Sequence, residues 1–140
     1  MRKLQYSLVI FLLCLTVSAT AQKPFHAYLI NNEYEVYLSI NFYDQDISIP
    51  GQELYGQLPG FLGKKHNSFC WLITDTSIKG KTATLSMIND YGSEDLTAIL
   101  TQKNDSVFIL KQGEGSTLKV PKNGKWQKLP KVLEFKREKE

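Results

Sequence analysis

The chain has 140 residues, 42% of them hydrophobic and 22% charged, a length that fits one domain with a single core and excludes a second. A net charge of +3 is too small to point to a partner, and two cysteines, Cys14 and Cys70, are too few for a disulfide framework.

Arg2 and Lys3 precede an apolar run from Leu8 to Val17, which ends in Ala19-Thr20-Ala21 before Gln22. This pattern predicts a cleaved secretory signal over residues 1–21. The run is about ten residues, half of the roughly 20 that a membrane-spanning helix needs, so no membrane span is expected. Leu13 stands where a lipoprotein signal carries Gly, Ala or Ser, so Cys14 is not read as lipid-modified. The mature domain, residues 22–140, keeps Cys70 alone, which Phe69 and Trp71 flank as they would a buried small hydrophobe. Its acidic side chains dominate up to residue 110, and its last 30 residues are basic, with nine Lys or Arg against four Asp or Glu.

In residues 33–42, Tyr34, Val36, Leu38, Ile40 and Phe42 fall on one side of a period of two, the pattern of a half-buried strand. Residues 25–30 form a hairpin with it about Asn31-Asn32, and residues 45–49 are a short strand ending at Pro50-Gly51. Gly51, Gly56, Gly60, Gly63 and Pro59 then predict a brief strand over 54–58 and a mobile loop to Lys65. Residues 68–74 are bulky on both faces, so both are expected to be covered. Four strands over 81–89, 95–102, 107–111 and 117–120, joined by short polar turns, predict a meander. A single helical turn near 128–133 and a last strand over 132–136 end the chain.

The mature chain shows no window of helical periodicity as long as ten residues. The expected fold is all-β, a small antiparallel meander of about 8–10 short strands closing into a barrel, with a β-sandwich as the alternative. An eight-stranded barrel has room inside for side chains or one small ligand.

Chemical motifs are sparse. Asp44, Asp46, Asn89, Asp90, Glu94 and Asp95 offer oxygen ligands but match no calcium loop, and they read as turn residues. His26, His66 and Cys70 are too few to hold zinc. Hydrolase, phosphate-binding and dinucleotide motifs are absent, so no catalytic residue, cofactor or metal is assigned. Lys119, Lys122, Lys125, Lys128 and Lys131 recur every third residue, which in an extended chain of three residues per turn would place them on one side beside Trp126. Export removes nucleic acid as a partner and leaves anionic glycans, lipid head groups or an acidic protein surface. Asn104-Asp105-Ser106 fits an N-glycosylation sequon, and Asp105-Ser106-Val107 resembles the O-glycosylation acceptor of Bacteroidetes, so an exposed turn is expected there.

The order of short strands and the hairpin over residues 96–110 about Lys103-Asn104-Asp105-Ser106 resemble small exported lipocalin-like barrels across residues 25–136. The signal, with its Ala-Gln ending, resembles export signals of Bacteroidetes-type bacteria, which implies a periplasmic or secreted protein. Together these resemblances imply a monomeric, non-catalytic binding module for a small apolar ligand or an extracytoplasmic protein. Small inhibitors of secreted cysteine proteases resemble such barrels too, which implies as the alternative an inhibitor or other protein-interaction domain acting through surface loops. Candidate partner-binding residues are Pro59, Gly60 and Phe61 in the glycine-rich loop, and Lys122, Lys125, Trp126 and Lys128 in the basic segment. Large inward side chains such as Tyr34, Leu38 and Phe42 favour a filled barrel and a function at the surface.

Overall fold

The computed structural model describes residues 23–138; the expected export signal, residues 1–21 with Cys14, lies outside the described residues. Twelve strands follow in order: β1 (His26–Asn31), β2 (Val36–Asn41), β3 (Ile47–Ser48), β4 (Gln57–Leu58), β5 (Gly60–Lys64), β6 (Cys70–Lys79), β7 (Thr82–Asn89), β8 (Asp95–Gln102), β9 (Val107–Gly115), β10 (Lys119–Lys122), β11 (Lys125–Lys128) and β12 (Val132–Arg137). Eight close a barrel in the order β1-β12-β9-β8-β7-β6-β5-β2, with every neighbouring pair antiparallel. The all-β barrel expected from the alternation is therefore the observed fold, and closure removes the long unpaired edges of an open sheet.

The barrel is an up-and-down meander interrupted twice. A two-stranded ribbon, β3–β4, lies between β2 and β5, and a second, β10–β11, lies between β9 and β12. Period-two alternation decides what points inward: Val36, Leu38 and Ile40 from β2, Ala83, Leu85 and Met87 from β7, Leu96, Ala98 and Leu100 from β8, Phe108 and Leu110 from β9, Leu133 and Phe135 from β12. Each large member of this set stabilises the fold by about 1.5–3 kcal/mol through burial. Phe25 stacks on Phe42 at 5.4 Å and meets Phe108 edge-on at 6.2 Å, filling the interior further.

A second, smaller core lies on the outer wall. Phe61, Cys70 and Leu72 point away from the barrel interior, and the β3–β4 segment covers them with Ile47, Ile49 and Leu58. The two bulky faces of β6 are thus both covered, as its composition predicts, and Cys70 is buried.

Three local expectations are corrected. The strand over 117–120, expected as the fourth of the meander, begins at Lys119 and pairs with β11 instead of β9, so β12 takes its place in the barrel. Residues 60–64, read as part of a mobile loop, form barrel strand β5, and all five are buried. Its glycines serve close packing: a Cβ on Gly63 would collide with the ring of Tyr37 directly across the ladder, and one on Gly60 with the carbonyl of Ser39. The helical turn expected near 128–133 is absent, because Pro130 leads straight into β12; the single short helix among the described residues is a 3-10 turn at Glu53–Tyr55.

Candidate functional site: the capping ribbon

Because the strands alternate direction, the connections β1–β2, β5–β6, β7–β8 and β9–β12 share one end of the barrel. The β10–β11 ribbon belongs to the last of them and caps that end. Leu118, Val120 and Leu129 from this segment are buried in the main core. The turn is Asn123-Gly124 with φ of 53° and 75°, the left-handed pair that a two-residue hairpin needs and that Asn-Gly adopts most readily.

Two buried side chains hold the ribbon in place. The amide of Gln112 on β9 accepts from the N–H of Leu118 at 2.7 Å and donates to the carbonyl of Pro130 at 2.9 Å, so one residue binds both ends of the insertion. The indole N–H of Trp71, fully buried in the barrel, donates to the carbonyl of Lys119 at 2.9 Å. These bonds satisfy polar groups that would otherwise be orphaned under the cap.

An aromatic cluster borders the ribbon. Phe69, just before β6, meets Trp126 at 5.0 Å edge-on and Tyr91, in the β7–β8 turn, at 5.9 Å. Phe69 is buried, whereas Trp126 is 50% exposed and Tyr91 71% exposed. The side-chain oxygen of the buried Asn89 accepts from the N–H groups of Ser93 and Glu94, which shapes the turn and sets Glu94 beside the ribbon. There Lys119 Nζ lies 3.0 Å from Glu94 Oε2 and 5.7 Å from the centre of the Trp126 ring.

The structure separates the sequence candidates. Lys122, Lys125, Trp126 and Lys128 are exposed on the ribbon. Pro59, Gly60 and Phe61 are buried where the chain enters β5, at the opposite end of the barrel, so they form no surface loop and do not join the lysines. The expected one-sided lysine stripe is also corrected. A hairpin replaces the extended chain, and alternation puts Lys119, Pro121, Trp126 and Lys128 on one face, with Val120, Lys122, Lys125 and Gln127 on the other.

Sequence reasoning missed two exposed features. Tyr91 lies in what reads as an ordinary polar turn, and its link to Trp126 through Phe69 depends on the fold. Leu54, fully exposed in the 3-10 turn Glu53–Tyr55, was hidden in a segment read as a strand. The Asn104 turn is exposed as expected, with Asn104 Oδ1 accepting from the N–H groups of Ser106 and Val107 and from Ser106 Oγ.

Cys70 and Asp90, at the cap's end of the barrel, both lean toward their neutral forms. Burial pushes the Cys70 thiol up to about 11, with the nearby Asp90 charge adding to it. Burial raises the Asp90 carboxyl as well, against backbone hydrogen bonds that lower it. Among the described residues, no three or more His, Cys, Asp or Glu side chains are grouped to hold a metal ion, and no helix is long and apolar enough to cross a membrane. An open groove of about 890 Å³ runs along the outer wall past His26, Tyr28, Ser39, Ile47 and Arg137, outside the filled interior. Comparison with protein-family models, with curated proteins and with solved structures found no match.

Proposed function

We propose that the protein is an exported, non-catalytic binding module that engages an extracytoplasmic partner through its surface. The observation that carries this reading is the filled interior: Trp71, Phe108, Phe135, Leu85 and Met87 are each at most 1% exposed inside the barrel. A barrel of eight strands has room for side chains or for one small ligand, and here side chains take that room. The resemblance to lipocalin-like barrels supports a binding role, and the filled interior moves that role outward. The capping ribbon is the favoured surface, because it combines half-exposed aromatic rings with unneutralised lysines on a rigidly held element.

A pull-down from the secreted fraction of the exporting cell tests this. Wild-type protein is expected to retain a partner at low salt, and Lys122→Glu, Lys125→Glu and Lys128→Glu together are expected to abolish retention while leaving folding intact. Equal retention by both proteins would overturn the assignment to the ribbon. The second reading, a protease inhibitor, has one observation in its favour: the fully exposed Leu54 at the tip of β3–β4 is the kind of side chain a substrate pocket accepts. Leu54→Asp would then abolish inhibition of a secreted protease, and the ribbon variant would not.

A further inference from the structure

We infer that the β10–β11 ribbon binds an anionic polysaccharide, whose charged groups meet the ribbon's lysines while one sugar ring lies against Trp126. The inference rests on the surface-binding reading above and names the partner's chemistry.

The register of the ribbon is the first reason. Lys119 sits directly opposite Lys128, and Lys122 directly opposite Lys125. Like charges facing each other across a ladder disfavour the pairing that holds them. Glu94 offsets one of these rungs through Lys119. The Lys122–Lys125 rung has no salt-bridge partner among the described residues, and the chain carries no acidic residue between Glu114 and Glu134. A hairpin tip of this kind forms with many residue types, so paired lysines there leave uncompensated positive charge on a ribbon that Gln112 and Trp71 hold in place. An anion supplied from outside relieves it.

The second reason is what lies between the rungs. Pro121 pairs with Trp126, so an exposed indole shares the face of the Lys119–Lys128 rung, and the Lys122–Lys125 rung lies about 10 Å further along at the strand's rise per residue, on the other face at the tip. Phe69 fixes the indole edge-on, and Tyr91 extends the aromatic surface beyond Phe69. A preformed ring binds at little entropic cost. The negative π-face of an indole suits the C–H face of a sugar ring. A chain of sugars repeats its charges, so one molecule crossing Trp126 and Lys128 and passing over the tip reaches both rungs.

Two other anionic partners fit less well. A lipid surface needs apolar side chains foremost, but the tip is Asn123-Gly124 between lysines, and Trp126 is held back against Phe69. A polyanionic protein segment has no sugar-ring C–H face to lie against Trp126, and the ribbon offers lysines alone, point charges that tolerate the varied anion placement of a saccharide chain.

The chain has two tryptophans, so one indole N–H resonance, that of Trp126, reports on the exposed face of the ribbon, and the other, that of Trp71, on the buried bond to Lys119 beneath it. The mature protein is titrated with oligogalacturonate and dextran sulfate, with dextran as the neutral control, poly-glutamate as the protein-like polyanion and phosphatidylserine vesicles as the lipid surface. The inference predicts that at least one of the two anionic saccharides shifts the Trp126 resonance more than that of Trp71 and binds about tenfold more weakly at high salt than at low salt. Trp126→Ala and the pair Lys122→Glu with Lys125→Glu are each expected to weaken that binding about tenfold, and Trp126→Phe to restore most of it. Failure of both saccharides to bind, binding of poly-glutamate with equal affinity and no dependence on Trp126, or preferential binding of the vesicles would each overturn it. If no saccharide binds and the barrel interior holds no ligand, this inference falls alone; if an apolar molecule occupies the barrel, the surface-binding reading falls with it.

Discussion

The indole N–H of Trp71 donates to the backbone carbonyl of Lys119 across 2.9 Å, joining a fully buried side chain of the barrel to the ribbon that caps it. One bond thus links the packed interior to the exposed surface assigned to binding. Trp71→Phe keeps most of the ring and removes the donor, leaving the Lys119 carbonyl unpaired at a cost of about 1–3 kcal/mol. The effect should be concentrated in the ribbon, so amide exchange at Leu129, whose N–H bonds to the Leu118 carbonyl, should quicken more than exchange in β7 or β8.

Gln112→Leu should act in the same place and more strongly. It orphans the Leu118 N–H and the Pro130 carbonyl together, each worth about 1–3 kcal/mol when buried without a partner. Denaturant titration gives the total loss, and hydrogen exchange shows whether the ribbon detaches before the barrel unfolds.

Gly60→Ala should destabilise the barrel by more than about 2 kcal/mol, because the added methyl meets the Ser39 carbonyl, and backbone cannot turn aside as a side-chain tip can. Leu54→Ala, at a fully exposed position, should change stability by less than about 0.5 kcal/mol. Thermal unfolding of the two variants distinguishes a barrel strand from the loop that glycine density alone predicts.

This contrast shows where the sequence was readable. The register of β2 follows from Val36, Leu38 and Ile40 alone, since period-two burial needs no knowledge of the partner strand, whereas residues 33–35, read as the start of that strand, form the turn before it, with Glu35 at a φ of 55°. The covering of both faces of β6 was likewise legible in Phe69 to Ile73, although what covers the outer face was not. Strand β5 was misread because Gly60 and Gly63 look like loop residues until the neighbouring Tyr37 and Ser39 are placed against them. Strand β11 and the two-faced distribution of lysines were hidden for a similar reason: equal spacing of Lys119, Lys122, Lys125 and Lys128 fits one side of an extended chain, and only the reversal at Asn123-Gly124 divides it. Among the candidate residues, Trp126 and its lysines stood out by composition. Tyr91 joins them through a contact with Phe69 that no local pattern encodes.

Leu38→Asp should unfold or severely destabilise the domain, because an unpaired carboxylate in the interior costs several kcal/mol. Its neighbour Ser39, half-buried on the outer wall, should accept aspartate within about 1 kcal/mol. Equal losses in denaturant titrations would mean that both faces of β2 are closed to charge.

Cys70 gives the fold a signature at high pH. Its thiol stays protonated in the folded state up to about 11, against an ordinary value of 9.0. The raised value means that this contribution to stability is complete below about 9, declines as the pH rises, and is lost above about 11. The stability of Cys70→Ala should lack that part of the decline. A thiol reagent at pH near 8 should leave the native protein unmodified and label it only on unfolding.

The most direct measurement is native mass spectrometry of the protein purified from its own cells. A barrel filled by Trp71, Phe108, Phe135 and their neighbours predicts the mass of the polypeptide with its covalent modifications and no small molecule retained inside. A stoichiometric apolar molecule, released only on denaturation, would contradict the filled interior and return the binding site to the barrel.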